Sequence, residues 1–186
     1  MRNQLIRVKV GVMGSANDSL SPTEKLRLAE LAERLGTTIA AHECVCVTGA
    51  TTGLPEMVSR AARNHDGLTI GISPAISLEE HVNRYRLPVD CAEILMFTGF
   101  GLKGRNVINI RSSDIVIIFG GAMGALNEFT IAYDEGKIIG VLEGSGGIAD
   151  HIQEIIEFTN KPTHARIFFD HAPEALLDAC LKEFAV

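Results

Sequence analysis

The chain is predicted to be α/β, with a doubly wound, mainly parallel sheet of about seven strands and helices on both faces. Three observations predict it. Short β-branched runs alternate with segments of helical period from end to end. Residues 114–119, DIVIIF, are almost uncharged, as a strand buried on both faces of a parallel sheet requires. Glycine-bearing turns at 14–17, 48–53 and 120–124, joined by 98–105, fall at the carboxyl ends of strands. Such sheets bind ligands there, near the point where strand order reverses.

The first strand is residues 7–13, followed by a polar turn at 14–19. Ser21-Pro22-Thr23-Glu24 predicts a helix start, with Ser21 as N-cap, Pro22 at the first helical position and Glu24 closing a capping box. Leu26, Ala29, Leu31, Ala32 and Leu35 give that helix an apolar face, and Gly36 is its expected stop. Residues 44–47 form the second strand, 54–64 the second helix and 68–72 the third strand. Residues 73–90 are polar and irregular except for a short helix at 78–82. A connection of that length is expected to be a lid or pocket wall. Residues 93–97 and 102–112 then give a strand and a helix. After the strand at 114–119, Leu126, Phe129, Ala132 and Tyr133 recur at helical spacing across 125–136. Residues 138–142, 148–158, 166–169 and 173–184 follow as strand, helix, strand and helix. No linker, repeat or low-complexity tract interrupts residues 1–186, so one domain is expected.

Composition narrows the function classes. Hydrophobic residues make up 46% and charged residues 22% of the chain, ordinary for a soluble globular protein. No apolar run reaches the roughly 18 residues that span a bilayer, and the start leads straight into a strand, so a cytoplasmic address without a secretory leader is expected. A net charge of −6 disfavours nucleic acid as a partner, single-stranded DNA included, because that binding relies on basic surface. Cys44, Cys46, Cys91 and Cys180 show no CxxC spacing and read as reduced core residues. His42, Cys44 and Cys46 would share a strand face, but no second ligand cluster accompanies them and no metal site is expected. The first strand lacks GxGxxG, which disfavours dinucleotide binding of the usual oxidoreductase kind.

Strand, glycine turn and helix across residues 114–136 form a geometry that presents free N–H groups and a helix dipole to an anion. The same sequence also serves a tight β–α connection with no ligand. Glu128 lies about one turn inside the helix, and Arg105 lies near the start of the preceding one, at the same end of the sheet. A carboxylate beside an anion cradle suits an N-glycosidic bond, and an arginine can grip phosphate with two N–H groups. A surface Arg–Glu pair bracing two helix ends is the alternative.

The segment GGAMGALNE at 120–128 resembles the PGGxGTxxE signature of the LOG-type nucleoside-5′-monophosphate phosphoribohydrolases, proteins long mislabelled lysine decarboxylases. Arg105 stands 23 positions before Glu128, where that family carries its active-site arginine. TGATTGLPEMV at 48–58 is similar to the family's second glycine loop, and Gly14-Ser15 to its first. TGFG at 98–101 and GRN at 104–106 look closer to a bacterial sister group of uncharacterised Rossmann-like proteins, which also resembles the molybdenum-cofactor carrier proteins. The resemblance covers roughly residues 7–142, with three departures. Phe119 replaces the proline before the double glycine, Ala125 replaces a threonine, and Asn106 stands where the hydrolases carry lysine. No pyridoxal-phosphate lysine site is visible, so lysine decarboxylation is not expected.

The resemblance implies a Rossmann-like nucleotide-binding protein that hydrolyses a nucleoside 5′-monophosphate to base and ribose 5-phosphate. Arg105 and Glu128 would be its catalytic residues. Gly120, Gly121, Met123, Gly124 and Ala125 would form the phosphate loop, with Gly14, Ser15, Asn17, Gly49, Thr51, Thr52, Gly53, Thr98 and Gly99 completing the pocket. No cofactor is required on this reading, nucleotide or phosphate being the ligand. A homodimer or larger homo-oligomer is implied. The alternative is a non-catalytic carrier or sensor of a phosphorylated ligand such as a nucleotide or the molybdenum cofactor, which the altered threonine and lysine positions favour.

Overall fold

β-branched segments that carry no charge on either face can only be covered on both sides, and that requirement builds the molecule around its sheet. The computed structural model describes residues 6–16 and 21–185. Asn17, Asp18 and Ser19 of the expected polar turn lie outside the described residues. The strands are β1 (Lys9–Gly14), β2 (Val45–Thr48), β3 (Thr69–Ser73), β4 (Ile94–Phe97), β5 (Ile115–Phe119), β6 (Ile138–Leu142) and β7 (Arg166–Asp170). The helices are α1 (Pro22–Ala41), α2 (Leu54–Asn64), α3 (Leu78–Asn83), α4 (Gly101–Arg111), α5 (Met123–Asp134), α6 (Ile152–Thr159) and α7 (Pro173–Phe184).

Among the described residues the seven strands form one sheet in the order β4-β3-β2-β1-β5-β6-β7, and every pairing is parallel. Strand order reverses between β1 and β5, because the chain builds outward from β1 to β4 and then returns on α4 to β5. One face is covered by α1, α2 and α7, whose Leu35, Ile39, Val58 and Leu177 pack on Val10, Val12, Ile117 and Phe119. The other is covered by α4, α5 and α6, whose Ile110, Phe129 and Ile152 pack on Met13, Val116 and Ile118. All five residues of β5 are buried, the expectation for a central strand. The Rossmann-like α/β fold is therefore as predicted.

Three local expectations change. The capping box forms as expected, with Glu24 N–H bonded to Ser21 Oγ and the Glu24 carboxylate returning to Ser21. Gly36 does not end α1; it is buried mid-helix, where a Cβ would meet Ala61 Cβ at 2.6 Å, and so it lets α1 and α2 pack closely. Leu26 is exposed, because the buried stripe runs through Leu28, Leu31, Ala32, Leu35 and Ile39. The helix expected at 148–158 begins as a 3-10 turn over Gly147–His151 before α6.

The connection at 73–90 is neither a lid nor a wall of the cavity described below. Ser77 caps α3 by accepting from Glu80 N–H. His81, fully buried, hydrogen-bonds Ser73 Oγ at 2.8 Å and the Pro88 carbonyl at 3.0 Å. Those bonds hold both ends of the segment beside β3 and β4, away from the strand-order reversal.

All four cysteines are unpaired and buried, and burial pushes the thiols of Cys46 and Cys180 up to about 12. His42 pairs with Asp178 at 2.9 Å. Among the described residues, no group of three or more His, Cys, Asp or Glu could hold a metal ion, and no helix is long and apolar enough to cross a membrane.

Candidate functional site

A cavity of about 210 Å³ opens at the carboxyl ends of β1 and β2, between the starts of α4 and α5. This is the position that a reversal of strand order creates. Gly14 and Ala16 come from the turn after β1, Gly49 and Thr51 from the turn after β2, and Gly124 and Ala125 from the first turn of α5. Leu102, Lys103, Arg105 and Asn106 come from α4, and Glu128 closes the floor. The first two turns are tied together, since Leu54 N–H donates to the Ser15 carbonyl at 2.9 Å and Thr52 Oγ1 to the Ala16 carbonyl at 3.4 Å. Gly53, at φ +85°, has no room for a Cβ beside that strand end.

Arg105 and Glu128 are not a surface pair. Each is 6% exposed, and Arg105 Nη1 donates to Glu128 Oε1 at 3.1 Å. The same nitrogen donates to Asn106 Oδ1, and Asn106 Nδ2 donates to Asn127 Oδ1. Asn109 Nδ2 reaches Glu128 Oε1 at 3.4 Å and Met13 Sδ at 3.1 Å. Arg105 Nε and Asn109 Oδ1 are buried with no hydrogen-bond partner among the described residues. The guanidinium lies against the Cα of Gly49, where a Cβ would stand 2.5 Å from its central carbon.

Burial works on both charges. It pulls the Arg105 pKa down, with Glu128 opposing. It pushes Glu128 up from the usual carboxylate value, against the nearby Arg105, the Asn109 hydrogen bond and Lys103. Glu128 is thus a carboxyl group poised to hold a proton at higher pH than an exposed glutamate would.

The phosphate loop expected at 120–125 divides in two. Gly120 N–H is capped by Ser145 Oγ at 2.8 Å, and the carbonyls of Gly120 and Gly121 accept from Ala149 and Ile148. Both glycines therefore face the 145–149 turn and do not line the cavity. α5 itself starts with no side-chain cap, leaving its first-turn N–H groups at the cavity beside Gly124 and Ala125. Met123 is 73% exposed and outside the lining. Thr98 Oγ1 and Gly99 N–H bond the Ser73 and Ala75 carbonyls, which places them at the β3–β4 end, away from the cavity. Ser15, Thr52 and Gly53 are outside the lining and join the two turns that supply it, and Asn17 lies outside the described residues.

Lys103, Asn109 and Ser145 were not among the residues expected at the site. Lys103 supplies a cation to a cavity from which Asn106 removes one. The signal for Asn109 was present in α4, whose buried positions are Arg105, Asn106, Asn109 and Ile110. A helix that buries more polar than apolar side chains has a polar partner to serve.

An all-parallel α/β sheet with a cavity at its reversal point, floored by a buried acid and guanidinium, defines the class as Rossmann-like. The chain belongs to the SLOG cluster4 family, whose model matches residues 7–177. An uncharacterised protein of Archaeoglobus fulgidus is 32% identical over 136 residues, which are 73% of this chain and 80% of that one. Among solved structures, the protein TM1055 superposes with a TM-score of 0.80 at 24% identity, over 95% of this chain and 99% of the other. The molybdenum cofactor binding protein of the phototrophic bacterium Rippkaea orientalis superposes with a TM-score of 0.77 at 28% identity, over 98% and 99%.

Proposed function

We propose that this chain binds a small phosphorylated ligand of the nucleoside 5′-monophosphate class and hydrolyses its N-glycosidic bond. The observation that carries the reading is the Arg105 guanidinium, largely buried yet lining the cavity beside Glu128. A guanidinium at the edge of a cavity with one carboxylate partner can take a second, and an anionic ligand oxygen would supply it. The uncapped first turn of α5 and Lys103 add further positive potential on the same cavity. With phosphate on those groups, Glu128 would face the ribosyl carbon. In its ionised form it would steady the oxocarbenium ion and take a proton from the attacking water as the bond to the base breaks, the electron pair leaving with the base nitrogen.

A second reading is a carrier that holds its ligand without turnover. Ala125 in place of a phosphate-binding hydroxyl and Asn106 in place of a cation favour it, as does likeness to a molybdenum cofactor binding protein. One experiment separates the two. The protein is incubated with AMP, GMP, CMP and IMP while free base and bound nucleotide are both measured, beside an Arg105→Ala, Glu128→Ala control. Base released above the control supports hydrolysis. Saturable binding without base supports a carrier. If neither occurs, nucleotide binding is wrong.

A further inference from the structure

Arg105 and Asn109 stand four residues apart on α4, on the side of that helix that meets α5. Both send an N–H to the same atom of Glu128: Arg105 Nη1 reaches Oε1 at 3.1 Å and Asn109 Nδ2 reaches it at 3.4 Å. Glu128 Oε2 receives no hydrogen bond among the described residues and is not enclosed, which leaves it as the oxygen turned to the cavity. Asn109 is fully buried and outside the cavity lining. Its Nδ2 also donates to Met13 Sδ at 3.1 Å, a weak acceptor, while its Oδ1 is buried with no partner among the described residues. Turning the amide over would face its oxygen to that sulfur and to an ionised Glu128, two acceptors, so its neighbours set its orientation. A buried carbonyl left unmet is destabilising, and a leucine at this position would avoid it. The one charged group that the Asn109 amide serves is Glu128.

We propose that Asn109 is a positioning residue for Glu128, its amide holding Oε1 of the ionised carboxylate so that Oε2 faces the ligand as proton acceptor. The kinetic consequence rests on the hydrolytic reading above; the hold on the carboxylate does not. Two N–H groups on Oε1 fix a carboxyl rotation that is otherwise broad for glutamate. A donor to the charged form also favours ionisation against the burial that opposes it. Arg105 cannot serve this purpose alone. It has a second acceptor in Asn106 Oδ1, and it lines the cavity, where a bound anion would draw on it as well. Asn109 is reserved for the acid. Arg105 and Lys103 are the charges beside Glu128 among the described residues of the lining, and β1 and the turn after β2 add none. Removing the Asn109 amide therefore leaves every charge and the whole lining in place. In the hydrolytic reaction Oε2 is then the atom that takes the proton of the attacking water.

NMR titration of the full chain, isotope-labelled at the side-chain carboxyl carbon of glutamate, tests the proposal. The Glu128 resonance is the one lost in Glu128→Gln. In Asn109→Leu its titration midpoint is expected at higher pH than in wild type, because a donor to the ionised form is gone. Ile110→Val, the next residue of α4 and fully buried, alters packing alone and should leave the midpoint in place. Base release from AMP is the second readout. In Asn109→Leu kcat is expected to fall roughly 10- to 100-fold with KM little changed, the loss of one hydrogen bond to a charged group. The acid limb of its pH profile should move upward with the NMR midpoint. Should Asn109→Leu fail to fold, Asn109→Asp keeps the shape, lacks the donor and is expected to move the midpoint the same way. A folded Asn109 variant whose Glu128 titrates as in wild type, an equal shift in Ile110→Val, or a loss confined to KM would overturn the positioning role. A wild type that releases no base removes the hydrolytic reading alone, and the titration then decides the role of Asn109.

Discussion

Taking a guanidinium out of water costs more than one ion pair returns, so the burial of Arg105 beside Glu128 is a stability sacrifice that a ligand would offset. Gly49 makes that placement sterically possible. Gly49→Ala is expected to displace the guanidinium and weaken AMP binding roughly 10- to 100-fold, the equivalent of losing one or two charged hydrogen bonds. Calorimetric titration reads it, and an unchanged affinity would remove Arg105 from the binding site. Glu128 makes a pH prediction whose sign follows from its raised pKa. The folded protein holds a proton that the unfolded chain has already released. The resulting stabilisation is complete below the ordinary carboxylate value and is lost as pH rises through the raised one. Glu128→Gln removes that titration. In urea unfolding across pH 4 to 8, wild-type stability should therefore fall relative to Glu128→Gln as pH rises. A gap that stays constant would mean that Glu128 titrates normally.

Helices and strands were legible in proportion to how local their causes are. The bounds of α2, β6 and α7 follow from Gly53-Leu54-Pro55, a five-residue apolar run and Pro173, signals contained within the elements themselves. The start of α1 is equally local, and Ser21→Ala is expected to cost about 1 kcal/mol in urea unfolding. A loss near zero would show that the exposed box contributes nothing. The end of α1 was not legible, because Gly36 looks like a stop until Val58 and Ala61 of α2 are known to lie against it. The candidate site divides along the same line. That the turns after β1, β2 and β5 approach one another was readable from their places at strand carboxyl ends. That Gly120 is spent on Ser145, a residue 25 positions later, was not, because the bond is tertiary. Nor was the placement of Thr98 and Gly99, whose motif survives while their bonds go to β3 and its following loop.

At the scale of the molecule, β1 and β5 are the hinge of the architecture, and the cavity draws on both halves of the sheet. A ligand there contacts segments on either side of the reversal, so it should stabilise the fold as a whole. At a nucleotide concentration 100 times its dissociation constant, about 2.7 kcal/mol is added, which for a chain of 186 residues raises the unfolding midpoint by roughly 5–10 °C. Differential scanning fluorimetry with AMP, against the Arg105→Ala variant, measures it. Equal midpoints with and without nucleotide would contradict the placement of the ligand.

Gly120 and Gly121 meet the 145–149 turn backbone to backbone, through two amide-to-carbonyl bonds and the Ser145 hydroxyl, and Gly147 at φ +59° lies against Gly121 with no space for a methyl group. That seam orients the start of α5 before any guest arrives. Association then becomes a matter of filling a mould that already has its shape, with little entropy left to surrender on arrival.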